Sequence, residues 1–340
     1  MRAETLVIQT AFLGDVVLTT PLLSALAERH GPLDVVTTPG AAELLETHPA
    51  VAEVIRYDKR GTDGGVAGLW RLGRRLRARR YARVYLPHGS WRSAGLALFT
   101  GAAQRTGFAD SAAAVTYTTR VPAAKHGHQV ERLLRLAGPL ADRVPPVSLG
   151  LTPDDRMAAE RWLTERGLGP GFIALAPGSI WGTKRWPYYS ALAAAVDGPI
   201  VVLGGGEDAG LAAEIQMAAP GRAHTAAGTV SLRLAAALLE QAAVLVTNDS
   251  APLHLATAAG TPVVAVFGPT VPGFGFGPRG QRDLVVEHDR LSCRPCSSHG
   301  PRVCPLGHHR CMRELSVERV GAAVSAVTGG EVRGAIRSGN

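Results

Sequence analysis

Aromatic residues make up only 5% of the sequence, and its four cysteines, Cys293, Cys296, Cys304 and Cys311, all fall in one short segment. A disulfide framework spreads its cysteines along the chain, so this distribution fits a reducing compartment. No stretch approaches the roughly 20 apolar residues of a membrane span. The N-terminus has no basic-then-apolar leader, since Arg2 is followed by Glu4 and soon by Asp15. These absences lead to the expectation of a cytoplasmic protein. Two nucleotide signatures are missing as well: a G-x-x-x-x-G-K-[ST] loop, and a G-x-G-x-x-G turn after the first strand of a domain. A Walker loop is thereby excluded, and a nicotinamide site has no support.

What is present is length and apolar content. The 340 residues, 46% of them hydrophobic, suggest about two domains with a substantial core. Apolar, β-branched runs recur at Leu6–Ile8, Leu33–Val36, Val84–Leu86, Phe172–Leu175, Ile200–Leu203, Val244–Val246 and Val263–Phe267. Helical segments such as Pro21–Arg29, Leu69–Arg79 and Leu232–Gln241 lie between them. The alternation predicts an α/β chain with parallel sheets covered on both faces. It breaks between Pro145 and Gly171, where Pro, Gly and charge increase. That break predicts one Rossmann-like domain over 1–150 and a second over 151–325, with 326–340 as a flexible tail. Ligands of such sheets bind outside the carboxyl ends of the strands.

The net charge is +8, and much of the excess sits in Arg71–Arg83, "RLGRRLRARRYAR", with seven arginines. Such a run is either a solvated helix face or a surface for an anionic partner. A nucleic-acid partner is not expected, because the run lacks interleaved aromatics and the cysteines lack zinc-finger spacing. The cysteines follow C-x2-C-x7-C-x6-C, with His299, His308 and His309 nearby. The spacing admits a structural zinc site of four thiolates, or equally reduced thiols packing a loop. No catalytic metal is expected there.

Three stretches carry candidate chemistry. In "IALAPGSIWGTKRWP", a strand gives way to a turn whose backbone N–H groups can cradle phosphate, with Ser179 and Thr183 as hydroxyl donors and Lys184 as a point charge. In "VLVTNDSAPLHLATAAG", a strand ends in Asn248-Asp249-Ser250 and a helix follows, with Pro252 in its first turn and His254 one turn in. Asp249 or Ser250 would cap that helix, and its N-terminus can hold an anion. In "VVLGGGEDAGL", Glu207 or Asp208 after the glycines is placed either to hold ribose hydroxyls or simply to complement a helix dipole. Near the start, "FLGDVVLTTP" sets Asp15 after Gly14 where a strand meets a helix. Asp15 reads either as a helix-end acid or as a general base.

"GDVVLTTPLLSAL", "RTGF", "APGSIWGTKRWP", "NDSAPLHLATAAGTPVVAVFGPT" and "CPLGHHRCMREL" occur in this order from about residue 5 to about residue 325. Together they resemble the bacterial lipopolysaccharide heptosyltransferases, the ninth glycosyltransferase family. The cysteine segment resembles the type II enzymes, which add the second inner-core heptose. The resemblance implies a GT-B fold: two Rossmann-like domains facing across a cleft, the first binding acceptor and the second nucleotide sugar. It implies transfer of heptose from ADP-heptose with inversion, without a metal or other cofactor. It implies Asp15 as base, and diphosphate contacts at Ser179, Lys184, Ser250 and His254, with Asp249 beside them. Ala251 stands where the family often has Gly, and "PHGSW" at Pro87–Trp91 replaces an Asp or Gln before the Gly, which bears on the acceptor.

The chemistry agrees with the residues. An acceptor hydroxyl needs one carboxylate to take its proton. A diphosphate leaves as a stable anion, so no second carboxyl is required as acid. No D-x-D occurs to hold a metal, which leaves Lys184, the helix end at Ser250 and His254 to stabilise the developing charge. Arg92 is a candidate for an acidic group of the acceptor. The arginine run would steer that acceptor or hold the protein at the inner membrane surface. Rival readings are a nucleotide-sugar epimerase of the UDP-N-acetylglucosamine 2-epimerase type, a family 9 transferase of another sugar, and a nucleic-acid-binding module.

Overall fold

The computed structural model describes residues 3–124, 126–139 and 144–329. The chain forms two compact units, Met1–Gly150 and Leu151–Asn340. The Pro- and Gly-rich stretch from Pro145 is therefore not a free bridge. Ser148 N–H donates to Thr20 Oγ1 (3.1 Å), Thr47 Oγ1 donates to the Gly150 carbonyl (2.7 Å), and the first unit is closed up to that point. The second unit then starts at once with a capping box, Thr152 and Asp155 bonding each other's backbone N–H.

The first unit runs β1 (Thr5–Ile8), α1 (Leu13–His30), β2 (Leu33–Thr37), α2 (Pro39–Ala42), β3 (Val51–Arg56), α3 (Gly65–Ala78), β4 (Arg83–Leu86), α4 (Trp91–Thr100), β5 (Gln104–Phe108), β6 (Thr119–Val121) and α5 (Gln129–Leu134). Its strands form one six-stranded parallel sheet in the order β3-β2-β1-β4-β5-β6. β1 and β2 are buried end to end; Leu6–Ile8 of β1 are all apolar, whereas β2 carries the buried Asp34. The edge strands β3 and β6 are largely exposed and carry no such run. Leu6, Ile8, Val84 and Leu86 of the sheet pack against Leu72 and Leu76 of α3 and Leu96 of α4.

α1 begins well before the proline at which the sequence places a helix. Pro21 lies inside it and has no N–H to give Val17. Thr20 Oγ1 donates to the Val17 carbonyl instead, at 2.8 Å, so the helix passes through the proline with that acceptor satisfied.

The arginine run does not act as one face. Arg79 is pinned by buried Asp34 (2.9 Å) and by both oxygens of Glu53, and Tyr81 also bonds Asp34. Arg74 instead lies over the Trp70 ring, 4.8 Å from its centroid.

The second unit runs α6 (Pro153–Thr164), β7 (Ile173–Ala176), α7 (Tyr189–Ala195), β8 (Ile200–Val202), α8 (Ala209–Ala218), β9 (Ala223–Thr225), α9 (Leu232–Glu240), β10 (Val244–Asn248), α10 (Ala251–Ala259), β11 (Val263–Phe267), β12 (Leu284–Glu287), α11 (Arg310–Arg313) and α12 (Val317–Thr328). Its sheet is again six-stranded and parallel, ordered β12-β11-β10-β7-β8-β9. Leu175, Val202, Val246 and Val264 pack in one cluster with Trp186, Tyr189 and Leu192 and with Met312, Val320 and Val324. α12 continues to Thr328, so residues 326–328 are helix and not tail; residues 330–340 of the expected tail lie outside the described residues. Among the described residues no helix is long and apolar enough to cross a membrane.

Strand order reverses between β1 and β4 in the first sheet and between β10 and β7 in the second. At such a point the connections leave in opposite directions, and a crevice opens at the carboxyl ends of the strands. The candidate residues named from sequence come after β1 and β4 in one unit, and mainly after β7 and β10 in the other.

Candidate functional site

In the first unit β1 ends at Ile8, and the loop to α1 is held from both sides. Gln9 Nε2 donates to Thr19 Oγ1 (2.9 Å), which in turn donates to the Asp15 carbonyl (2.7 Å). Asp15 occupies the third position of α1, and its Oδ2 accepts the N–H of Phe12 at 3.3 Å. The helix-end role is thus realised, a contribution of roughly 0.3–1 kcal/mol. Gly14 is buried, while the Asp15 side chain is only half-buried.

The neighbouring loops bring cations to the same crevice. Lys59, after β3, donates from Nζ to the Thr10 carbonyl, and Arg92 of α4 donates from Nη1 to the Lys59 carbonyl at 3.0 Å. Ser90 caps α4, accepting from Ser93 N–H at 3.1 Å, and Ser93 Oγ lies 3.4 Å from Thr10 Oγ1. Burial, then Arg60 and Arg92, lower the pKa of Lys59. Burial, then Lys59, lower that of His88. Positive charges crowd one another here, which is the electrostatic setting of an anion receiver. Sequence reading found Arg92 but missed Lys59, which lies in an unremarkable turn, "YDKRGTDGG".

In the second unit Asn248 is a clamp. Its Oδ1 accepts Trp186 N–H (3.1 Å) and Tyr189 O–H (3.2 Å), and its Nδ2 donates to the carbonyls of Pro177 (2.9 Å) and Gly178 (3.3 Å). The end of β10 thereby fixes the loop after β7. Asn248→Ala strands several buried polar groups at once, each worth about 1–3 kcal/mol. The expected result is a fall in Tm on the order of 10 °C; an unchanged melting curve would remove the clamp from this account.

Lys184 and Asp249 form a buried ion pair, Nζ to Oδ2 at 2.5 Å, and Thr270 Oγ1 donates to the same oxygen at 2.7 Å. Asp249 is therefore the counter-ion of Lys184 and not a helix cap. The N-cap of α10 is Ser250, whose side chain makes no capping bond. Ser250 Oγ instead lies 3.4 Å from Thr247 Oγ1 and from the Asn248 carbonyl. Ala251 and Pro252 open the helix; His254 is buried one turn in, its ring 6.3 Å from that of Phe276. Ser179 stands at the mouth of the β7 loop: its Oγ accepts Trp181 N–H at 3.3 Å and its carbonyl accepts Arg185 Nε at 2.8 Å.

Two residues have other duties than those expected. Thr183 is buried; its hydroxyl donates to the Pro301 carbonyl and its own carbonyl meets His309 Nε2 at 2.8 Å, so it anchors the cysteine segment. Of the two acids after the glycines, Glu207 is exposed and free to reach a ligand, whereas Asp208 is buried. Asp208 Oδ2 accepts Gly205 N–H at 3.0 Å, and Oδ1 has no hydrogen-bond partner. Burial raises its pKa, opposed by the Gly205 N–H, and Glu207 raises it further against the pull of Arg185. A Cβ on Gly178 would lie 2.2 Å from Asp208 Oδ1, so only glycine fits beside that carboxylate.

The four cysteines are free thiols. Burial, with Cys296 next, pushes the Cys311 thiol up to about 11. Burial also acts to raise Cys304, but N–H groups of His309, Leu306, Gly307 and His308 pull it below its ordinary value. Among the described residues no three or more His, Cys, Asp or Glu side chains are grouped to hold a metal ion.

With this geometry in hand, similarity to known proteins has a clear pattern. The profile of "Glycosyltransferase family 9 (heptosyltransferase)" matches residues 69–306. The chain is 32% identical to lipopolysaccharide heptosyltransferase 1 of Pseudomonas aeruginosa, over 92% of each protein. It is 27% identical to lipooligosaccharide heptosyltransferase 2 of Haemophilus influenzae, over 92% of this chain and 96% of that one. The structure of E. coli ADP-heptose lps heptosyltransferase II superposes with a TM-score of 0.79 at 24% identity, covering 96% of this chain and 98% of that one. A family 9 glycosyl transferase from Veillonella parvula gives a TM-score of 0.85 at 24% identity, covering 96% and 97%. These neighbours share the GT-B fold expected from sequence.

Proposed function

Because the chain belongs to glycosyltransferase family 9, the heptosyltransferase family, we propose that it moves heptose, with inversion, from ADP-heptose to a hydroxyl of the lipopolysaccharide inner core. The observation that carries this reading is the set of donors at the second unit's switch point. There the buried Lys184–Asp249 pair sits at the foot of a helix whose N-terminus has no side-chain cap. Backbone N–H groups and a lysine in a dry setting suit a diphosphate that gains charge as it departs.

In the proposed reaction the first unit holds the acceptor and the second the donor. Asp15 takes the proton of the acceptor hydroxyl. The oxygen forms a bond to the anomeric carbon as the bond from that carbon to the diphosphate oxygen breaks, and ADP leaves as an anion. Lys184, Ser179, Ser250 and the first N–H groups of α10, Ala251 among them, receive that charge, with His254 one turn deeper. Glu207 is the nearer of the two acids to serve the ribose, since Asp208 is turned inward. Lys59 and Arg92 serve the acid groups of the acceptor. The chain has no D-x-D to hold a metal, and a diphosphate needs no protein acid; the reaction is proposed to run without a metal or other cofactor. The cysteine segment favours the type II reaction, onto an acceptor that already carries one heptose.

ADP release from ADP-heptose is the test, with EDTA present, using inner-core acceptors with and without the first heptose. Release that requires the heptose-bearing acceptor and survives chelation is expected. Release without any acceptor would move the protein to the epimerase reading. Silence with ADP-heptose but turnover with another nucleotide sugar would keep the transferase and replace the donor.

A further inference from the structure

The cysteine segment and the chain just after it return to the β7 loop at several points. Thr183 Oγ1 donates to the Pro301 carbonyl, Trp186 Nε1 to the Leu315 carbonyl (2.8 Å) and Tyr188 O–H to the Arg313 carbonyl (3.0 Å). The backbones also approach with no side chain between them. A Cβ on Gly182 would stand 2.6 Å from the Arg302 carbonyl oxygen, and one on Gly300 would lie 3.4 Å from Lys184 Cγ. Residues 300–315 thus form a strap across residues 182–188, with His309 near its middle.

His309 holds an uncommon backbone. Among the described residues only two other than glycine have a positive φ, Arg80 at 55° and His309 at 49°. Arg80 follows the end of α3, where a left-handed residue is ordinary. His309 precedes α11, where the residue is normally extended. The position favours glycine or asparagine. What histidine adds there is reach. Its backbone N–H is turned to the Cys304 thiol, while its ring crosses to the Thr183 carbonyl, Nε2 to oxygen at 2.8 Å. A carbonyl can only accept, so that nitrogen carries the hydrogen.

The peptide bonded in this way is the one that introduces Lys184. Its C=O is held by His309, and its N–H by the Trp181 carbonyl at 2.9 Å. With both ends tied the peptide plane is fixed, and the Lys184 side chain leaves it towards Asp249. We propose that His309 is a positioning residue for the departing diphosphate: it does not touch the ligand, and it fixes the peptide from which Lys184 is aimed. A strained residue kept where glycine would sit without strain points to a use for its side chain. Misplacing a catalytic group by about an ångström lowers the rate by up to about 10²-fold. The task given to Lys184 rests on the proposed transfer reaction; the hold on the loop does not.

Three variants separate strain, bond and reaction. His309→Gly removes the bond and the strain together. His309→Ala removes the bond and keeps the strain. His309→Gln keeps the strain and a donor near the place of Nε2. Hydrogen–deuterium exchange of the peptide spanning 181–186 should quicken about tenfold in the glycine and alanine variants and stay near native in the glutamine one. The kcat for ADP release should fall about tenfold in the first two and stay within about threefold of native in the third. Tm should not follow kcat: the glycine variant should melt near native, and the alanine variant roughly 2–4 °C lower. In a Lys184→Met background, His309→Gly should bring no further loss of kcat, because it acts through that lysine. Native exchange in His309→Gly would overturn the proposal, as would losses that multiply in the double variant. So would a kcat that tracks Tm through the series, or a glutamine variant as slow as the glycine one. Faster exchange in His309→Gly, with no transfer from any nucleotide sugar by the native chain, would uphold the hold on the loop and sink the transferase reading.

Discussion

Asp15→Asn is expected to lower kcat by about 10³-fold while leaving the fold and ADP affinity nearly unchanged. The amide oxygen can still accept the Phe12 N–H, so the start of α1 keeps its bond. What is lost is the ability to take a proton. The two roles of this carboxylate therefore separate in one substitution: a helix-end acid loses a fraction of a kcal/mol of stability, whereas a general base loses the reaction. ADP release under saturating donor and acceptor, with ADP binding by calorimetry alongside, gives the answer. Retention of more than about a tenth of the native kcat would return Asp15 to a structural acid and leave the proton acceptor to be found elsewhere.

Lys184→Met should be the most damaging single change in the second unit, because it fails in two ways. Asp249 is left charged and buried, with Thr270 as its remaining partner, which costs about 3–5 kcal/mol. The departing diphosphate also loses a cation, for a further loss of about 10²–10³ in kcat. The two effects part in the double variant Lys184→Met with Asp249→Leu. Replacing a whole buried pair by apolar side chains is often neutral for stability. Its Tm should therefore recover towards the native value while kcat stays low. Recovery of both would make the pair a structural clamp only, and the diphosphate would have to be held by α10 and the β7 loop alone.

The parts of the fold legible in the sequence are those buried on both faces. β1, β7, β10 and β11 hold apolar runs of three residues or more because helices cover them on either side. β5, β6, β9 and β12 stay hidden, since strands that are short or lie towards an edge need little apolar sequence. Pro21 marks a helix start on paper, yet Thr20 supplies the missing hydrogen bond and the helix runs through. The candidate site was legible as strand-end polar clusters but not as pairs. Nothing in "NDS" says that Asp249 meets a lysine 65 residues earlier, or that Asn248 is consumed by four bonds. Thr183 misleads for the same reason: its partner, Pro301, comes from a distant segment that only the fold brings near.

The contact between Gly178 and Asp208 bears on how this sequence can drift. Any residue other than glycine at 178 drives its first carbon into the Asp208 carboxylate, 2.2 Å away, and a Cβ at 204 would meet the same group at 2.7 Å. Nearly every base change that alters a glycine codon adds such a carbon. Position 178 is thus closed to single steps while the acid remains. Loss of the carboxylate, as in Asp208→Gly, empties the space that alanine at 178 would fill. The two positions are neighbours that must change in order, 208 first and 178 second. A lineage that takes the first step gains access to a loop with a new side chain beside Ser179, at the mouth of the β7 crevice, and so to a different grip on whatever nucleotide lies there.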